Sequence, residues 1–384
     1  MRWVLVALIL GCGTPESVTS VPERAELATD WSREIALLDS DIGAAEERLI
    51  NRPGQWLIEA QLASLFSERA RLTGDYEDYA RAEEAVERAF DIAPEGSGPF
   101  LIRASLNFTL HRIDAVEADL VNAENAGRQT AKTGAAISLL RGRVAMERGQ
   151  YDAALVQYQR SLELQDTLQV HAALAHHAWQ TGDPQTGETE LSVAEGRYHG
   201  RRAEPRAWFH LQRAIADLDA GRTAEARIHL DHADTELPGY WLIEEHIAEI
   251  MAIHGELEGA LALYASVVDR TNSPELMGAM AGVLSALDRD VESALWVARA
   301  DAVFAERLKR FPEAVTGHAL EHALDFGDPA SAVALAEANV ALRPNGAALE
   351  QLARAYTKAS RPEEARSAVA RAKALGWAGD AVSD

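Results

Sequence analysis

The residues most suggestive of chemistry are His318, Glu321 and His322, in the string His318-Ala-Leu-Glu321-His322. On a helix, histidines four apart share one face and could hold a zinc ion, with the glutamate between them acting as general base toward a bound water. Such a site needs a further acidic ligand from another helix; Glu337 and Glu350 are available downstream, each in an ordinary repeat position. Two other histidine groups stand out. His171, His176 and His177 fall in one apolar stretch, and His229 and His232 lie three apart on a second. Neither group shows a cysteine partner or a third ligand within its own segment. No glycine-rich phosphate loop follows a strand pattern, and no serine nucleophile elbow occurs.

The elements that would carry these residues are helical. Residues 135–164 are the clearest unit: Leu139, Gly142, Ala145 and Met146 recur at helical spacing and break at Arg148-Gly149-Gln150. A second helical run follows with Tyr151, Ala154, Leu155, Tyr158 and Leu162. Two short amphipathic helices joined by a glycine turn form a hairpin that cannot bury its apolar faces alone. The unit repeats. Turn positions at Gly74, His111, Gly149, Gly182, Gly221, Gly255, Arg289, Gly327 and Ser360 recur at intervals of 33–39 residues.

This spacing resembles the tetratricopeptide repeat, whose period is about 34 residues. The resemblance extends to the packing slots around each turn: Gly142, Ala145, Ala154 and Tyr158; Ala175, Ala178, Gly187 and Leu191; Ala214, Ala226, Leu230 and Ala233; Ala248, Ala260 and Tyr264; Leu320, Ala323, Ala332 and Ala336; Ala353, Ala365 and Ala372. It implies an all-α superhelix, an α-solenoid of about nine hairpins over residues 55–375. A helical segment at 21–54 precedes the array and a tail at 376–384 follows it. His318-x-x-Glu321-His322 is also the H-x-x-E-H string of inverted zinc metallopeptidases. Here it falls on the first helix of a repeat, with Leu320 in a packing slot.

In tetratricopeptide arrays the first helix of each hairpin lines a concave groove that receives a protein or peptide partner. By that register the candidate groove residues are Arg143, Glu147, His176, Trp179, Glu245, Glu249, Glu321 and Arg354. Two uses are open to Trp179: an aromatic anchor in the groove, or packing against the neighbouring hairpin. The resemblance implies a non-enzymatic scaffold or adaptor without a cofactor. The alternatives are a zinc peptidase built on His318, Glu321 and His322, and a cytosolic regulator.

Composition agrees with a helical, binding protein. The chain has 384 residues, 47% of them hydrophobic, and 60 acidic against 37 basic residues, a net charge of −23. Such an excess repels phosphate backbones, so nucleic acid is not an expected partner. The single cysteine, Cys12, excludes an intramolecular disulfide within this sequence. It follows Arg2 and an apolar run at 3–10, and Ile9-Leu10-Gly11-Cys12 resembles a bacterial lipobox. That resemblance implies a signal peptide at 1–11, lipidation of Cys12, and a flexible tether at 12–20. A membrane lipid anchor, and therefore a bacterial-envelope location, follows; Gly13 after the cysteine points to the outer membrane, facing the periplasm.

Overall fold

A computed structural model describes residues 30–126 and 130–379, which form nineteen α-helices and, among those residues, no strand. Helix α1 (Trp31–Asn51) leads. It is followed by α2 (Trp56–Thr73) with α3 (Tyr76–Ile92), α4 (Phe100–Thr109) with α5 (Ile113–Asn125), and α6 (Ala131–Glu147) with α7 (Tyr151–Leu164). The middle holds α8 (Leu168–Gln180) with α9 (Pro184–Gly196), α10 (Ala203–Asp219) with α11 (Thr223–Glu236), and α12 (Trp241–Ile253) with α13 (Leu257–Thr271). The last hairpins are α14 (Pro274–Ala286) with α15 (Asp290–Arg310), α16 (Pro312–Asp325) with α17 (Pro329–Leu342), and α18 (Gly346–Lys358) with α19 (Pro362–Ala374). Nine antiparallel pairs thus stack in sequence order, a tetratricopeptide-like α-solenoid. Cys12, its apolar leader and the tether lie outside the described residues. No described helix is long and apolar enough to cross a membrane.

Local chemistry sets the helix ends. Asp183 accepts from the Thr186 amide and is followed by Pro184; Asp328 and Pro329 repeat the device at α17. The side chain satisfies a first-turn amide, and proline lacks the N–H that would be orphaned there. Most turns pass through one left-handed residue two positions before the second helix, a conformation in which glycine meets no Cβ penalty. Gly149 (φ 68°) is typical, but His111 (φ 56°) and Ser360 (φ 57°) hold the same seat. In the seventh hairpin the seat belongs to Asp288 (φ 58°), not to Arg289, which is the residue flanking α15. The register there is one residue earlier than the sequence spacing suggests, placing Ala281 and Ser293 in the buried slots. Residues 76–78 are the first turn of α3, capped by Asp75.

Small residues on one helix admit large ones from its partner. Tyr158 is fully buried against Gly142, where a Cβ would fall inside the tyrosine ring. Ser161 Oγ donates to the Ala135 carbonyl at 2.9 Å, tying the same two helices together.

The superhelix winds tightly enough for distant hairpins to touch. Trp31 N donates to Pro238 O at 3.0 Å, and Arg202 reaches back to Glu34 at 2.9 Å. The Tyr76 ring meets Phe311 at a centroid distance of 5.4 Å, and Arg310 pairs with Glu77 at 2.6 Å. Gly346 N donates to the Tyr151 hydroxyl at 2.8 Å. The residues after α19 are no loose tail as far as Gly379: Trp377 covers Gly346, and Ala378 N donates to Gln180 O at 3.1 Å.

Candidate binding cavity

The contacts between distant hairpins wrap the expected groove around a partly open cavity of about 800 Å³. Its wall comes mainly from α2, α4, α8, α10, α12, α14 and α16, the first helices of their hairpins. Ionic pairs line it: Arg71 with Glu204, Arg202 with Glu34 and Glu68, and Arg307 with Glu275 at 3.6 Å. A smaller cavity of about 110 Å³ adjoins it, sharing His111 and His318 and bounded by Arg143, Glu147, His176, Glu321 and Arg343.

The junction between the cavities is rich in donors. Arg343 is half-buried; its Nη1 lies 3.1 Å from His111 Nε2 and its Nη2 donates to Asn339 at 2.7 Å. Arginine only donates, so His111 Nε2 must accept. Burial, with Arg343 alongside, holds the His111 imidazole well below its usual pKa and therefore neutral, which puts its proton on Nδ1. That Nδ1 has no partner among the described residues, and neither have Trp241 Nε1, Arg202 Nη2 and Arg343 Nε. All four are donors. Leaving a buried donor unmatched costs about 1–3 kcal/mol, and these four lie on residues around the two cavities.

The structure brings several sequence-predicted residues together. Arg143, Glu147, His176 and Glu321 line the smaller cavity, and Glu245 lines the larger one. The Arg143 guanidinium sits 5.9 Å from the Phe108 ring centroid. Asn345 donates to Glu147 at 3.3 Å, and burial pushes the Glu147 carboxyl upward. Burial, helped by Arg143, lowers the His176 imidazole to about 4, so it is neutral near pH 7. Glu249 acts one step away, its carboxylate 3.2 Å from His246 Nδ1. Arg354 borders a separate cleft of α18 and α19 while donating to Glu321 at 2.9 Å.

Trp179 packs both within its own hairpin and toward the neighbouring one. Its indole covers Gly187 on α9 and lies against a buried cluster that includes Leu191 and, from the next hairpin, Trp208 and Phe209, and it does not line either cavity. The H-x-x-E-H residues also diverge. His322 Nε2 lies 3.0 Å from Asp301, His318 Nδ1 lies 3.9 Å from Glu275, and Glu321 is engaged by Gln351 and Arg354. With no third ligand beside them, His318 and His322 form no metal-binding group of three among the described residues.

Trp241, Arg202, His111 and Arg343 were not legible as site residues. They sit at helix starts, linkers and a turn, positions outside the repeat register. His111 alone left a signal, as the histidine occupying a glycine seat.

Fold and cavity define a closed helical-hairpin repeat protein of the tetratricopeptide-like class. No protein-family model and no curated protein matches the chain. Among solved structures it is similar to a tetratricopeptide repeat protein from Parabacteroides merdae ATCC 43184, at 18% identity over 63% of this chain and 93% of that one, with a TM-score of 0.41. It is similar to a Rap protein complexed with competence and sporulation factor at 14% identity, over 83% of this chain and 97% of that one, TM-score 0.49. A human IFIT1 dimer with PPP-AAAA aligns at 13% identity over 93% of this chain and 84% of that one, TM-score 0.44.

Proposed function

We propose that this chain is a non-enzymatic binding module that takes an extended peptide segment of a partner protein into its central cavity. The observation carrying this reading is the set of unmatched buried donors on Trp241, Arg202, His111 and Arg343 around a cavity of about 800 Å³. That volume lies in the range of ligand-binding pockets, about 300–1,000 Å³. An extended backbone offers a regular series of carbonyl acceptors, and its amides can meet Glu68, Glu204, Glu245 and Glu275 on the same wall. Because the walls are helices braced by ion pairs, little ordering is required on binding. The lipobox-like Ile9-Leu10-Gly11-Cys12 supports tethering of this module by lipid at the bacterial envelope.

Peptides selected from a random library on the full, tag-free chain test the reading. Trp241→Phe removes one donor while keeping an aromatic ring, and should weaken selected peptides by about fivefold to tenfold. Peptides that bind this variant and Arg202→Gln as tightly as wild type would place the binding surface elsewhere. For the anchor, Cys12→Ser should abolish palmitate labelling and release the protein from membranes; unchanged fractionation of an unlabelled wild type removes that part.

A further inference from the structure

We propose that His210, His229 and His232 form a binding site for a divalent transition metal of the zinc class, clipping α10 to α11. The sequence pairs His229 with His232 one helical turn apart, and the hairpin brings in His210 from the facing helix. Each ring offers one nitrogen within 4.8 Å of the others. The His210 ring stacks on His229 at a centroid distance of 6.3 Å and meets His232 edge-on at 5.2 Å. Tetrahedral zinc with Zn–N bonds of about 2.0–2.1 Å needs its nitrogens roughly 3.3 Å apart, a closure that side-chain rotation can supply.

Two further observations point to a ligand. The Nδ1 atoms of His210 and His229 are buried and have no hydrogen-bond partner among the described residues. His229 Nε2 faces Asp217 at 3.7 Å, beyond hydrogen-bonding distance but on the side away from Nδ1, so Nδ1 is the nitrogen left to give to a metal. Packing does not demand these histidines: in the same hairpin Ala214, Ala226, Leu230 and Ala233 fill the interior. The neighbouring charges are mutually engaged. Arg213 pairs with Glu188 and Glu195 at 2.9 Å each, and Arg222 with Asp217 at 2.6 Å. His232 is exposed, so a coordinated ion would keep an open position toward solvent for water or an incoming carboxylate.

Titration of the tag-free full chain with zinc sulfate, in competition with a chromophoric chelator, tests the site. One equivalent should bind, and cobalt(II) should give the visible bands of a four-coordinate nitrogen site. His232→Ala, at an exposed position that leaves the fold intact, should weaken zinc by at least about tenfold and remove the zinc-induced rise in melting temperature. His254→Ala and His318→Ala should bind zinc as wild type does. Stoichiometric binding retained in His232→Ala, or lost in His318→Ala, overturns the assignment, as does absence of stoichiometric binding to wild type.

Discussion

Glu245 lies buried on the cavity wall, where burial pushes its carboxyl up to about 7; His246 opposes the shift, and Glu249 and Glu275 add to it. The folded state therefore holds the proton more tightly than the unfolded chain, whose glutamates titrate near 4.5. Stability from this group is complete below about pH 4.5, falls as pH rises to about 7, and stays reduced above it. Glu245→Gln should be more stable than wild type at pH 8 by about 1–3 kcal/mol, and nearly equal to it at pH 5. Urea melts at the two pH values measure this; an equal difference at both would mean that Glu245 is not the titrating group. Its place on an inward helix face was legible in the sequence, because the repeat register assigns faces. The histidine site was only half legible, since His210 lies on a different helix from His229 and only the hairpin crossing joins them.

Elements were the most readable level. Helix pairs, their order and their close-packing residues follow from one periodic rule, and Gly142, Ala154, Leu191, Leu230 and Ala336 are all buried where that rule puts them. The misplacement at Arg289 has a physical cause: without glycine, the left-handed seat goes to whichever residue tolerates it, and aspartate does so better than arginine. The same substitution at two helical glycines separates packing from propensity. Gly142→Ala would drive a methyl group into the buried Tyr158 ring and should destabilise the protein by about 1–3 kcal/mol. Gly43→Ala, exposed within α1 with nothing near its added Cβ, should stabilise it by up to about 1 kcal/mol. Melting temperatures of the two variants should move in opposite directions. A shared direction would contradict the packing assigned to Gly142.

The whole molecule departs most from what the sequence shows, because its closure depends on pairs that no local pattern connects. Tyr151 and Gly346 are 195 positions apart, and Arg343 and His111 are 232 apart. An open solenoid transmits stability only between neighbouring repeats. Here the last residues also brace the third and fourth hairpins, through Trp377 beside Tyr151 and Ala378 on Gln180. Truncation after Ala374 should therefore loosen two regions at once. Amide exchange should rise locally in α18 and α19, and also around Gly149–Tyr151 and Gln180–Gly182, far away along the chain. Ordinary solenoid behaviour would leave those distant turns unchanged, and hydrogen–deuterium exchange resolved by peptide would show it. A rise confined to α18 and α19 would mean that the ring is closed by contacts too weak to couple its ends. The cavity would then open with thermal motion as a groove. A rise at all four places would mean that the last hairpin and the distant turns are energetically coupled, so that a partner entering the cavity meets preformed walls.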